Sequence, residues 1–304
     1  MLAGGVGAAR FLRGLSTLCD PSRLTIVVNT ADDDTFFGLQ VSPDLDTVTY
    51  TLAGRVGPLG WGLADDTAIC LDALRRYYEA AWFQLGDQDL ATHIYRTEQL
   101  GAGRSLTTVA AAIARAQGVR QRILPMTDAP VRTRITLARV GTIAFQDYLV
   151  RRRGRGRVQA VRYAGAARAR PARGVLTALG TADAIILPPS NPIVSIGPIL
   201  ALPGLRAALR RRRGRVAAVT PLVRGVPIKG PLDRMLRGLG HEVSAVGVAR
   251  LYRDIASVFV LDQRDAALAP RIEALGMRVV VTDTIMRTPV QSRALARTTL
   301  AALT

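Results

Sequence analysis

Short, uncharged, β-branched runs alternate with helical stretches along most of this chain. That alternation limits the folds open to it more than any other feature. The runs are Leu24 to Val28, Ala184 to Leu187, Val216 to Val219, Val258 to Leu261 and Val279 to Val281. Continuous apolar runs this short suit parallel strands covered on both faces. Between and around them the spacing predicts helices over Asp66–Ala80, Leu90–Leu100, Leu106–Gln117, Leu232–Leu239, Ala266–Leu275 and Val290–Ala302. Strand and helix in alternation predict an α/β fold: a doubly wound, mostly parallel sheet with helices on both faces. Val131 to Tyr163 breaks the pattern. The period-2 alternation in Thr133–Leu137 and again over Thr142–Tyr148 predicts a small antiparallel insert. With 304 residues, 49% of them hydrophobic, the chain can bury a substantial core. It is read as a single domain over residues 1–304, with an insert at about 50–175 made of helices and then the antiparallel segment.

The formal net charge is +18, yet Lys229 is the only lysine. Phosphate binding alone would not exclude lysine, which binds phosphate well as a point charge, so a GC-rich coding bias is the plainer source of most of the arginine. Two arginine runs, Arg151–Arg157 and Arg210–Arg215, lack interleaved aromatics, which weighs against base stacking and a nucleic-acid partner. The longest uncharged run, Ala184 to Leu205, holds five prolines, which argues against a membrane span. The N-terminal segment carries Arg10 and Arg13 and lacks a signal-peptide core, so the expected compartment is the cytoplasm, with Cys19 and Cys70 reduced.

Five segments bring together residues that carry chemistry. Gly4-Gly5-Val6-Gly7 follows a very short first strand and leads into Ala8-Ala9-Arg10-Phe11-Leu12. Glycines there allow close backbone approach, and the helix N-terminus behind them can receive phosphate, although a plain tight turn fits the same residues. The spacing is neither GxGxxG nor a P-loop, which disfavours a nicotinamide dehydrogenase. Asn29-Thr30-Ala31-Asp32-Asp33-Asp34 lies just beyond a predicted strand, where open α/β sheets bind ligands. Pro43-Asp44-Leu45-Asp46-Thr47 opens a predicted helix a dozen residues later. Two acidic clusters beside a phosphate loop point to a hard cation such as Mg2+, which takes one or two carboxylates plus substrate phosphates. Asp46 alone would also read as a helix N-cap. His93 falls on a helix beginning near Asp89, with Asp89 and Thr97 as its neighbours at helical spacing. Pro189-Ser190-Asn191-Pro192, with Ser195 following, ends another strand and offers a second anion-binding loop, and Lys229 lies beyond the next strand as a phosphate contact.

These segments occur in one order together with Trp61-Gly62, Leu85-Gly86-Asp87, Ile123-Leu124-Pro125-Met126, Phe145-Gln146-Asp147 and Ser195-Ile196-Gly197-Pro198. The ordered set, spanning the chain to about Asp283, resembles the 2-phospho-L-lactate transferase (CofD/FbiA) family of coenzyme F-420 biosynthesis. The resemblance implies a Rossmann-like fold and a magnesium-dependent transfer. A guanosine diphospho-activated three-carbon acid (lactate, enolpyruvate or glycerate type) gives its phospho-acid group to the deazaflavin Fo, and GMP leaves. Carried over by position, Asp32 and Asp46 would hold Mg2+ and act as the catalytic pair, one of them orienting or accepting the hydroxyl proton. Asp46, Gln84, Asp87 and His93 would face Fo. Gly4, Gly5, Val6, Gly7, Arg10, Asn29, Ser190, Asn191, Ser195 and Lys229 would take the nucleotide and its phosphates. Two positions depart from the family: Gln84 and Gln88 stand where basic residues are common, so amide hydrogen bonds would replace charge there. The family also implies a homodimer. Two other readings are a non-catalytic nucleotide-sugar-binding regulator of the same superfamily, whose relatives lack Pro-Asp-Leu-Asp-Thr, and a basic nucleic-acid-binding protein.

Overall fold

In the computed structural model, which describes residues 1–79 and 81–303, the apolar runs pair as parallel strands. In chain order the strands are β1 (Leu2–Ala3), β2 (Thr25–Val28), β3 (Asp34–Phe36), β4 (Leu39–Val41), β5 (Arg122–Pro125), β6 (Arg132–Leu137), β7 (Gly141–Ala144) and β8 (Val158–Ala164). They continue with β9 (Ile185–Leu187), β10 (Val216–Val219), β11 (Leu222–Val223), β12 (Val226–Pro227), β13 (Val258–Asp262) and β14 (Arg278–Thr282). One parallel sheet has the order β1-β2-β5 and a second the order β14-β13-β10-β9. The two meet where β1 packs beside β9. The chain therefore leaves the centre in one direction, returns, and leaves in the other, which puts a topological switch point between β1 and β9.

Alternate residues of the strands enter different cores. Leu2, Val27, Leu124, Ile185, Leu187, Phe259 and Leu261 fill one side. Ala3, Ile26, Val28, Ile123, Ile186, Val258 and Val260 fill the other. This two-sided burial explains why the runs carry no charge. Burial of each Leu, Ile, Val or Phe contributes about 1.5–3 kcal/mol. β5 was not predicted as a strand. Its exposed first residue, Arg122, and terminal Pro125 break the apolar run, and both are tolerated because β5 lies at the sheet edge.

Helix α1 (Gly5–Leu15) buries Ala8, Phe11, Leu12 and Leu15, and packs against the C-terminal helix Pro289–Ala301. Helix α2 (Pro43–Leu52) starts with Ser42 at its N-cap and Pro43 in the first turn, so Asp46 lies inside the helix and is not its cap. The helix predicted over 66–80 is only α3 (Ile69–Leu74), and Ala80 lies outside the described residues. Asp65, at φ 56, stands in a left-handed turn that no helix can run through. Helix α4 (Asp87–Gly101) and helix α5 (Leu106–Ala116) match the predicted periodicity. The segment predicted over Ala266–Leu275 splits into a tight turn, Gln263–Leu268, and a short helix, Ala269–Glu273, where Pro270 falls in the first turn.

The predicted antiparallel insert is present as β7-β6-β8. Its edge strand β7 ends at Ala144, earlier than the alternation suggests. Phe145 onward turns away, and Asp147–Arg151 coil into a wide turn in which the Arg152 N–H donates to the Asp147 carbonyl at 2.9 Å. That turn aims Leu149 and Val150 at the cavity described below. Among the described residues no helix is long and apolar enough to cross a membrane.

Candidate active site

The C-terminal ends of β1 and β9 open onto a cavity of about 490 Å³. Two loops form its inner wall and lock together. A Cβ on Gly7 would lie 2.1 Å from the Pro189 carbonyl oxygen, and one on Gly4 would lie 2.8 Å from Ser195 Cβ. Gly5 needs φ +70. These glycines therefore serve close approach at two positions and a left-handed turn at one. The Ser190 hydroxyl donates to the Gly4 carbonyl at 2.8 Å, so it ties the two loops together. Asn191 Oδ1 accepts from the Ile193 and Val194 N–H groups at 2.9 and 3.3 Å, which shapes the loop leading to Ser195.

The floor is acidic. The Gly5 N–H donates to Asp44 Oδ1 at 2.8 Å. The Asn29 amide nitrogen, fully buried, donates to Asp32 Oδ2 and to Asp44 Oδ2, each at 2.9 Å. One neutral donor thus bridges two buried carboxylates. Asp32 Oδ1 makes no hydrogen bond of normal geometry among the described residues. Burial, and then the Asp44 charge, push Asp32 well above the ordinary carboxylate range. Burial raises Asp44 too. Behind them Asp33 accepts from the Ser42 hydroxyl at 2.7 Å and is pushed by burial up to about 8. A buried like-charge pair beside a cavity fits a hard divalent cation, which would discharge both carboxylates.

Asp46 lines the same cavity but has a different partner. Arg96 of α4 reaches across and binds both of its carboxylate oxygens: Nη1 lies 3.1 Å from Oδ2, and Nη2 bonds Oδ1. Both residues are buried. Asn29 therefore joins Asp32 to Asp44, while Asp46, which the resemblance set beside Asp32, is held by Arg96. Asp46, Asp89 and His93 also bring ligand-type atoms within 4.8 Å of one another. The guanidinium already neutralises Asp46, which makes that trio the poorer cation site.

Cations and aromatics complete the walls. Arg10 and Lys229 both line the cavity, and Lys229 is lowered by burial and then by the Arg10 charge. Two like charges facing one space are relieved by an anion. Lys229 Nζ donates to the Leu59 carbonyl at 2.6 Å, and Gly60 lies against Val6. The 57–62 loop, with Trp61, is thereby held over the glycine loop. Opposite, Trp82 and Phe83 form an aromatic shelf in which Phe83 stacks on Phe36 with ring centroids 3.7 Å apart. Gln84, Phe145, Leu149 and Val150 extend this apolar side.

Of the residues singled out from sequence, the cavity brings together Gly4, Gly5, Val6, Gly7, Arg10, Asp32, Asp46, Gln84, His93, Ser190, Asn191, Ser195 and Lys229. It does not bring in Asn29, which lies behind the acidic pair, or Asp87. Asp87 is a helix cap: its carboxylate accepts from the Ile69 and Cys70 N–H groups, each at 2.9 Å, and from the Thr67 hydroxyl. In return Asp66 accepts from the Gln88 and Asp89 N–H groups at the start of α4, and Gly86 leaves room for it. Asp44 was read only as part of its acidic cluster, and Arg96, Trp82 and Phe83 were missed. A signal for the last two was present: eight of the chain's 15 aromatic residues fall within 36–83.

The chain is similar to known proteins over nearly all of its length. Residues 1–297 match the family described as 2-phospho-L-lactate transferase CofD. A phosphoenolpyruvate transferase of Streptomyces griseus is 42% identical over 99% of this chain and 96% of its own. A 2-phospho-L-lactate transferase of Methanosarcina acetivorans is 39% identical over 97% of this chain and 96% of its own. A crystal structure of a UPF0052-family protein from Bacillus halodurans superposes with a TM-score of 0.65 at 16% identity, covering 98% of this chain and 96% of that one, which supports the fold. By the extent of these matches and the order of its motifs, the chain belongs to the 2-phospho-L-lactate transferase CofD family.

Proposed function

We propose that the protein transfers a phospho-three-carbon-acid group from a guanosine diphospho-activated donor to a ribityl hydroxyl of Fo, releasing GMP. The observation that supports this best is the division of one cavity into an Arg10–Lys229 cation pair, an Asp32–Asp44 acid pair and a Trp82–Phe83 shelf. A diphosphate, a divalent cation and a flat aromatic ring are the three chemistries those walls would take. The regulator and nucleic-acid readings are not favoured, since the family match runs over residues 1–297.

In the reaction, the acceptor oxygen forms a bond to the phosphorus that carries the acid. The P–O–P bridge breaks, its oxygen leaves with GMP, and the hydroxyl proton is lost. Such transfers depend on positioning and charge neutralisation more than on covalent help. Arg10, Lys229 and the N–H groups of the glycine loop would hold the diphosphate, with Lys229 exchanging the Leu59 carbonyl for phosphate. Ser195 and the Asn191 loop would border the nucleotide. The deazaflavin ring would lie against the Trp82 and Phe83 side chains, stacking on one and meeting the other edge-on, since the two rings stand 82° apart, with Gln84 beside it. Asp46 would accept from the ribityl hydroxyls. Asp32 and Asp44 would hold Mg2+, which supplies charge stabilisation at the phosphoryl oxygens when bound.

The working unit would be a homodimer in the cytoplasm, where Cys19 and Cys70, both free, stay reduced. The experiment is to incubate the purified protein with Fo, Mg2+ and each guanosine-diphospho acid in turn, then weigh the products. Fo-dependent GMP release with one acid supports the reading. Light scattering checks the dimer.

A further inference from the structure

Helix α4 buries its polar face. Its buried residues are Thr92, His93 and Arg96, while Ile94 is 56% and Tyr95 37% exposed. An ordinary amphipathic helix does the reverse, and a buried arginine is rare without a partner. Arg96 heads the protein's fully buried large side chains. Its guanidinium grips both oxygens of Asp46, donates to the Gln40 carbonyl at 3.3 Å, and lies 3.2 Å from His93 Nδ1.

The partners of His93 fix its role. His93 Nδ1 crowds Arg96 Nη1 together with the Gln40 carbonyl and Asp46 Oδ2, and the second ring nitrogen is Nε2. That nitrogen lies 3.3 Å from Asp89 Oδ2. The Tyr50 hydroxyl donates to Asp89 Oδ1 at 2.6 Å and lies 2.8 Å from the Thr92 hydroxyl. Burial opposes the Asp89 charge, but His93 and Tyr50 outweigh it and hold the carboxyl below its usual range. The chain Tyr50–Asp89–His93–Arg96 thus ends on Asp46; Tyr50, Asp89, His93 and Asp46 line the cavity, and Arg96 stands behind them.

We infer that Arg96 is a positioning residue, held by His93 and Asp89, that locks the Asp46 carboxylate in one orientation toward the acceptor's hydroxyl chain. Two things follow. Asp46 presents fixed lone pairs and serves as an anchor for hydroxyls. His93, set between Arg96 and Asp89, is a brace for Arg96. The inference rests on the proposed reading that Fo is the acceptor.

The test measures Fo affinity from Fo fluorescence without donor, and GMP-release kinetics with Fo and donor varied separately. Arg96→Lys keeps the charge but loses the fork, so the Fo dissociation constant and KM for Fo rise about tenfold or more, while KM for the donor stays within about twofold. In an Asp46→Asn background the same change adds little, because the two act as one unit. Arg96→Gln with Asp46→Asn removes both buried charges together and keeps the comparison open should single variants fold poorly. A uniform fall in kcat with both KM values unchanged, or effects that add fully in the double variants, overturns the inference. Wild-type protein that neither binds Fo nor releases GMP overturns the functional reading and this inference with it.

Discussion

Replacing Gly7 by alanine puts a methyl carbon 2.1 Å from the Pro189 carbonyl oxygen and 3.1 Å from its carbon. Real Cβ atoms essentially never come nearer than 3.0 Å, and the obstacle is backbone, so the glycine loop and the β9 loop must part. The parting is about 1 Å, a misplacement that costs roughly 100-fold in rate where reacting groups are held for in-line transfer. Helix propensity works the other way, since Ala in a helix is favoured over Gly by about 0.5–1 kcal/mol. The expected outcome is therefore a fall of about 100-fold in kcat/KM for GMP release, with a urea midpoint lowered by less than a wholesale loss of fold would give. Gly180→Ala is the control: nothing lies within 4 Å of its built Cβ, and it should leave kcat/KM unchanged. A Gly7→Ala enzyme with full kcat/KM would show that the close approach of the two loops does not set the site's geometry.

Asp44→Asn should raise the Mg2+ concentration for half-maximal rate by about tenfold or more, because one of two paired carboxylates is lost; an unchanged Mg2+ titration would contradict the assignment. Lys229→Met should raise the donor KM by about tenfold or more with KM for Fo unchanged, as expected for the loss of one charge-assisted phosphate contact; a change confined to Fo would place the lysine elsewhere. Asp33 is raised from an ordinary 3.8 to about 8, so the native state holds its proton where the unfolded chain has lost it, and the associated stability is full below about pH 4 and lost as pH rises through 8. Asp33→Asn should therefore abolish about 3 kcal/mol of the stability change between pH 5 and pH 8 in metal-free protein, read from urea midpoints; parallel pH profiles for the two proteins would refute it.

The sheet was legible because two-sided burial writes itself as uncharged runs: Val216–Val219 appears in the structure with the bounds read from sequence. The order of the motifs carried the family. What stayed hidden lies in pairings between distant residues. Arg96 and Asp46 are 50 positions apart, and nothing local marks either as the other's partner. Asp44 and Asp46 are two apart on one helix, about 200° around its axis, so only tertiary structure decides which meets Asp32. Asp87 looks like a site residue beside Gly86, yet its geometry is that of a cap for α3. The period-2 pattern continued past Ala144 on paper, but Phe145 and Leu149 turn into the cavity wall, where side-chain burial overrides strand register.

The most direct test of the account follows the acceptor oxygen. Fo carrying 18O at its terminal ribityl hydroxyl is turned over with donor and Mg2+, and the products are weighed. The account predicts one GMP per phospho-acid-modified deazaflavin, with the label retained in the new P–O–C bridge and none in GMP. Labelled GMP, or GMP released at the same rate without Fo, would contradict attack by the deazaflavin hydroxyl and with it the proposed transfer.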